Sequence, residues 1–140
     1  MIKIKTSNVK TNVALIGSFY AHAAHCAILD GSKLTVLMDD QAVLFDIETM
    51  SILRHRSIGD ETYFSIYPLS SGYLVHGELS IVRLNSRFEQ VWTFSGSDIW
   101  VTQNENHEEF RIENDQILLE DWNGVRYALN TNGKLLWNTQ

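Results

Sequence analysis

The strongest constraint on this chain is a turn written three times. Phe45-Asp46, Leu84-Asn85 and Leu129-Asn130 each close an alternating run with a polar turn former. Seven residues after the Asp or Asn stands a large apolar residue: Leu53, Trp92 or Trp137. The anchors at 46, 85 and 130 lie 39 and 45 residues apart. Periods of about forty residues, with several short strands in each, mark propeller-type repeats, in which a unit buries its apolar face only against its neighbour. The last copy is the clearest. Leu118 to Trp137 (LLEDWNGVRYALNTNGKLLW) reads as a strand, an Asn-Gly turn, a strand, a turn with Gly133, and a third strand.

Alternation of apolar and polar residues extends the reading to the rest of the chain. In the first unit, Lys33–Met38, Ala42–Asp46 and Ser51–His55 are strand-like. The second has Tyr63–Tyr67, Gly72–His76, Ser80–Leu84 and Glu89–Phe94; the third has Glu109–Ile112, Gln116–Asp121, Gly124–Leu129 and Lys134–Asn138. Ser18–Leu29 is alanine-rich, yet its place in the repeat predicts a strand. Asn123-Gly124 is the strongest hairpin signal, because both residue types tolerate positive φ. The expected fold is therefore all-β: about three antiparallel four-stranded units, near 18–55, 63–94 and 109–138, in one domain spanning 1–140. A closed propeller needs about four blades or more. Three predict an open stack or a sandwich-like arrangement, two chains that complete a ring, or a fragment. Trp92 and Trp137 are expected to pack inward and close their layers.

The stretch from Tyr127 to Trp137 (YALNTNGKLLW) resembles the quinoprotein-type (PQQ-like) β-propeller repeat, whose pattern is Ala-Leu, a four-residue turn ending in Gly-Lys, then Trp. The second copy has Leu84-Asn85 and Trp92 but Phe88-Glu89 in place of Gly-Lys; the first keeps Asp46 and Leu53 with Thr49-Met50 between. The resemblance implies four-stranded antiparallel blades. It does not carry the quinone across, since the chain has no adjacent cysteine pair and no recognisable cofactor pocket. No cofactor is expected.

Composition narrows the function classes. A hydrophobic fraction of 44% and a charged fraction of 20% are those of a globular chain, not a disordered one. No run is apolar for the length of a membrane span, and MIKIKTSNVK lacks a signal-peptide core, which predicts a cytoplasmic protein. Cys26 is the single cysteine, so neither an internal disulfide nor a Cys-built zinc site is expected. His22, His25 and Cys26 would converge on a helix but not on a strand, where His25 points away from the other two. Asn114, Asp115, Glu120, Asp121 and Asn123 offer oxygen ligands without the spacing of a calcium loop. No nucleophile elbow, phosphate loop or zinc-protease motif occurs, so no catalytic or metal residue is assigned.

Charge supplies the one positive signal. Between Asn104 and Asp121 lie seven acids and only Arg111 as a base, which accounts for the whole net charge of −6. Such a field repels nucleic acid and attracts a basic protein. Trp100 and Trp122 flank it, and Trp122 falls at a hairpin tip where a large ring is hard to bury. Tryptophan ringed by carboxylates is the composition of a protein-binding hot spot. The expected contact residues are Trp100, Glu105, Glu108, Glu109, Glu113, Asp115, Asp121 and Trp122. The features together predict a non-catalytic protein-binding module, in its most concrete form a bacterial cytoplasmic immunity or inhibitor protein that neutralises a basic toxin. The alternatives are a propeller-like structural module that assembles with itself, for instance as a homodimer, and a small hydrolase or metal-binding enzyme using the His22–Cys26 region.

Overall fold

The computed structural model describes residues 2–5, 10–17, 25–101 and 108–140, and among them there are strands and turns but no helix. A hairpin of β1 (Ile2–Lys5) and β2 (Lys10–Val13) comes first. Three antiparallel four-stranded sheets follow. The first blade is β3 (Ala27–Asp30), β4 (Lys33–Met38), β5 (Gln41–Asp46) and β6 (Ser51–Ser57). The second is β7 (Tyr63–Leu69), β8 (Gly72–Gly77), β9 (Ile81–Leu84) and β10 (Gln90–Phe94). The third is β11 (Phe110–Glu113), β12 (Gln116–Glu120), β13 (Arg126–Asn130) and β14 (Leu135–Asn138). Each is a meander, and they do not close into a barrel. The all-β, three-blade architecture is the one the repeat implies. The strand expected over Ser18–Leu29 is seen as Ala27–Asp30, and residues 18–24 lie outside the described residues.

Strand alternation explains how the blades hold together. In β8, Val75 points back to the first blade and joins Leu37, Ala42 and Leu84. Its neighbour Leu74 points forward and joins Trp100, on the link after β10, and Ile117 and Leu129 of the third blade. Both are fully buried, each contributing about 1.5–3 kcal/mol of apolar transfer. The middle blade is thus apolar on both faces. On the back of the first blade, Val36, Met38 and Val43 are partly covered by Leu15.

The recurring Asp or Asn is a turn clamp. Asn130 Oδ1 accepts the backbone N–H groups of Asn132 and Lys134, both at 3.0 Å. Asn85 Oδ1 accepts those of Arg87 at 2.8 Å and Glu89 at 3.0 Å. The residue three after each anchor has positive φ, +79° at Gly133 and +61° at Phe88. This is the tight turn followed by a left-handed bulge residue, and the ladder slips in both blades just beside it. In the first blade the turn is one residue longer: Asp46 Oδ1 accepts from Glu48 and Thr49, and Met50 takes the positive φ. Asn123-Gly124 does not form the expected two-residue hairpin, since only Gly124 has positive φ. The two-residue turn with positive φ at both positions is Asn114-Asp115, at +50° and +60°.

The bulge also redirects the residues expected to plug each layer. Trp92 is half-buried, lies against Gly133, and donates its Nε1–H to the Thr131 carbonyl at 3.2 Å. Trp137 holds the matching place opposite Ala128, but no further blade covers it among the described residues, and it is 46% exposed. Leu53 is exposed too, because the longer first turn moves Arg54 into the Trp92 position. Arg54 Nη1 reaches the Arg87 carbonyl at 3.5 Å. The fourth strand of each covered blade therefore reaches the third turn of the next.

A Cβ on Gly133 would sit 2.6 Å from the Trp92 ring on a backbone at φ +79°, whereas one on Gly31, at φ +57°, meets nothing within 4 Å. Gly133→Ala is expected to cost about 2–3 kcal/mol and Gly31→Ala about 1 kcal/mol, read from urea unfolding midpoints.

Candidate protein-binding surface

A four-stranded meander sends its first and third turns to one end of the sheet. Its second turn, and the link to the next blade, leave from the other. That second end is stitched into a continuous belt by backbone hydrogen bonds. Ile58 donates to the Asp40 carbonyl (2.8 Å), Glu78 to Thr62 (2.9 Å), Trp100 to Glu78 (2.8 Å) and Trp122 to Ile99 (2.9 Å). We call it the link end. Asp39, Asp40, Asp60, Glu61 and Glu78 line a shallow hollow there together with Leu79. Farther along the belt come Asp98, Glu108 and Glu109, with Glu109 tied through its carbonyl to the Glu120 N–H at 3.1 Å.

Two large apolar side chains stand out from this acidic end, Leu79 at 53% and Trp122 at 43% exposure. Each sits on a turn held by a carboxylate. Glu61 Oε2 accepts the N–H groups of Leu79 (2.5 Å) and Ser80 (3.0 Å), and its other oxygen accepts the Ser80 hydroxyl. Asp121, only 1% exposed, accepts from the Ser97 hydroxyl (2.6 Å), the Tyr127 hydroxyl (3.0 Å) and the N–H groups of Asn123 (3.1 Å) and Val125 (3.0 Å). Asn123 also donates its side-chain amide to Asp98 at 2.9 Å. Both loops are thus fixed from beneath while Leu79 and Trp122 remain accessible. The arrangement sets apolar points for desolvated contact within a negative field.

The structure redistributes the residues expected from sequence. Trp122, Glu108 and Glu109 belong to the link end. Trp100 does not anchor a contact: it is fully buried between Phe94 and Tyr127, and Gly96 lets its ring approach the backbone. Asp121 is a buried clamp, not a surface charge. Glu113 borders and Asp115 lies in the β11–β12 turn at the opposite end of the third blade, about 13 Å away at strand rise, and Glu113 pairs with Arg111 at 3.4 Å. That separation also parts Asn114 and Asp115 from Asp121 and Asn123, so those oxygens do not converge on a cation. Glu105 and His22 lie outside the described residues. Asp39, Asp40, Asp60, Glu61, Glu78 and Leu79 were not singled out by sequence. The available signal was positional: they occupy the second turns and inter-blade links of successive repeats.

Beneath the surface, Ser65 and His76 meet at 3.4 Å, sealed between blades. His76 Nε2 lies 2.9 Å from the Trp100 carbonyl. A carbonyl only accepts, so Nε2 carries the proton and Nδ1 accepts from Ser65. Burial lowers the His76 pKa, outweighing the Trp100 carbonyl and the charges of Glu109 and Glu61, which raise it. Burial pushes the Asp121 carboxyl up, but the hydrogen bonds from Ser97, Val125, Tyr127 and Asn123 outweigh it and hold the pKa below the usual range. Both groups bind protons more weakly when folded. The His76 contribution to stability is complete above about pH 6.5 and is lost as pH falls from there toward its lowered folded value. The Asp121 contribution is present above about pH 4 and is lost as pH falls through its lowered folded value. Denaturation midpoints measured against pH should decline in those two stages, and His76→Gln should flatten the first. Asp121→Ala is expected to cost about 3 kcal/mol, and Trp122→Ala less than about 0.5 kcal/mol.

No family model matches the chain, and no curated protein matches it. Similarity appears among solved structures. BamB from Moraxella catarrhalis aligns at a TM-score of 0.58 with 14% identity over 84% of this chain and 34% of its own. The Pan2 WD40 domain of Neurospora crassa aligns at 0.59 with 13% identity over 86% of this chain and 39% of its own. The N-terminal domain of Nup159 aligns at 0.51 with 14% identity over 81% of this chain and 30% of its own. The chain thus spans about a third of the length of these β-propeller structures. At such identities the likeness shows a propeller-like repeat fold alone, and it does not single out the quinoprotein-type repeat.

Proposed function

We propose that this chain is a non-catalytic protein-binding module that takes a basic partner on its link end. In its most specific form it is a cytoplasmic immunity protein that masks a bacterial toxin acting on nucleic acid. The observation that carries the reading is the placement of exposed Leu79 and Trp122, each on a carboxylate-clamped turn, among Asp39, Asp40, Asp60, Glu78, Glu108 and Glu109. A protein that grips a phosphate backbone must present lysines and arginines. Carboxylates spread over this end would occupy those cations in place of phosphates, and the two apolar side chains would supply the desolvated contact that slows release. The negative field would also steer a cationic partner in and turn nucleic acid away.

The test uses the partner that co-purifies from the source cells, assayed as a pure protein. Its association rate with this chain should fall steeply between about 50 and 200 mM salt while dissociation changes little. Trp122→Ala should cost about 2 kcal/mol of affinity. The triple reversal Asp60→Lys, Glu78→Lys, Glu108→Lys should weaken binding more than about tenfold. Any nucleic-acid cleavage by the partner should be titrated out at one equivalent. Unchanged affinity in the triple reversal would sink the reading.

A further inference from the structure

We propose that the cleft between the first and second blades binds a free amino acid with a hydroxyl-bearing aromatic side chain. Its ring would lie between the blades, with its ammonium and carboxylate groups at the mouth.

The two seams of the molecule are built on matching rows but filled differently. On the forward face of the second blade the row is Tyr67, Leu74, Arg83 and Trp92, and the third blade packs onto Leu74 and the two rings. The same positions of the first blade hold Ile28, Thr35, Leu44 and Arg54. Isoleucine stands where a tyrosine fills the second seam, and threonine where a leucine does. What these smaller side chains leave open is a cavity of about 270 Å³. Ile28 and Leu44 wall it on one side, Pro68 and Leu69 on the other. It opens at the end that carries the first and third turns, away from the link end, with Asp30, Lys33 and Ser86 at its mouth.

The polar groups of the cleft have capacity left over. At the floor, Thr35 Oγ1 and the Tyr73 hydroxyl lie 3.3 Å apart, and Thr35 is only 3% exposed. Two hydroxyls carry two protons, and the bond between them uses one. The other has no acceptor among the described residues. A wholly apolar guest would bury that donor unpaired, so a well-matched guest brings an oxygen to it. At the mouth, Asp30 and Lys33 are Cα partners across the β3–β4 turn. Both are exposed, and neither closes an ion pair among the described residues. One carboxylate beside one ammonium matches a zwitterion better than a ligand with charge of a single sign. The volume lies just under that of drug-sized ligand sites, which limits the guest to about a dozen non-hydrogen atoms. An amino acid with a hydroxylated ring meets these demands together. Its phenol oxygen reaches the floor, its ring lies between Leu44 and Leu69, its ammonium meets Asp30 and its carboxylate meets Lys33.

Isothermal titration of the intact chain with L-tyrosine, up to about 2 mM, tests this. Saturable one-to-one binding is expected, with Kd about 0.05–0.5 mM. L-Phenylalanine lacks the oxygen for the floor and tyramine lacks the carboxylate, so each should bind about tenfold more weakly. Lys33→Met alters an exposed position and should keep the unfolding midpoint of the parent. It should weaken L-tyrosine about tenfold and leave tyramine unchanged. Thr35→Leu gives the first seam the side chain of the second and should abolish binding. Absence of saturable heat would overturn the proposal, as would equal affinity for L-phenylalanine and L-tyrosine. Unchanged L-tyrosine affinity in Lys33→Met would do the same, whether or not Thr35→Leu folds. Trp122→Ala lies at the other end of the blades and should leave this binding intact, which keeps the result separate from association at the link end.

Discussion

Everything in the molecule depends on the second blade being apolar on both sides. Val75 and Leu74 are adjacent in sequence and face opposite ways, and each is sealed by a different neighbouring blade. A strand can do this only where both of its faces are covered, which is why β8 reads as a short continuous apolar run rather than an alternating one. Remove either neighbour and half of that burial goes. The stack is cooperative in the way that repeat proteins are, through contacts between successive units.

Carboxylates and carboxamides serve this architecture in two distinct ways. At the anchors and in the Asp121 and Glu61 clamps, their oxygens accept backbone N–H groups that a turn leaves without partners, fixing loop shape at the cost of the groups' own solvation. Elsewhere on the link end they stay accessible and act through their field. Asp121 and Trp122 show how one position apart divides the roles: the acid is buried to hold the loop, and the ring is held out by it.

The sequence made the blade legible because its turns carry chemistry of their own. Asn85 and Asn130 announce a clamp by residue type, so about three four-stranded units that do not close could be read before any coordinates, whereas the β1–β2 hairpin could not. Which face a side chain takes was less legible. A single bulge residue reverses the parity of everything after it, so Trp92, Trp137 and Leu53 could not be sorted by counting from the anchor. The acidic run misled for a related reason. Glu109 and Glu113 are close in sequence but at opposite ends of a strand, while Asp39, Asp60 and Glu78 are far apart in sequence and share one hollow. Proximity along a meander is not proximity on its surface.

Because every blade is a sequence-contiguous meander, the chain needs no distant segment to complete any sheet. During synthesis each blade can form once its fourth strand has emerged. Its forward face then stays wet until the next blade is made. The order of translation is the order of burial, and the nascent chain passes through stages that each expose one apolar wall to whatever is nearby.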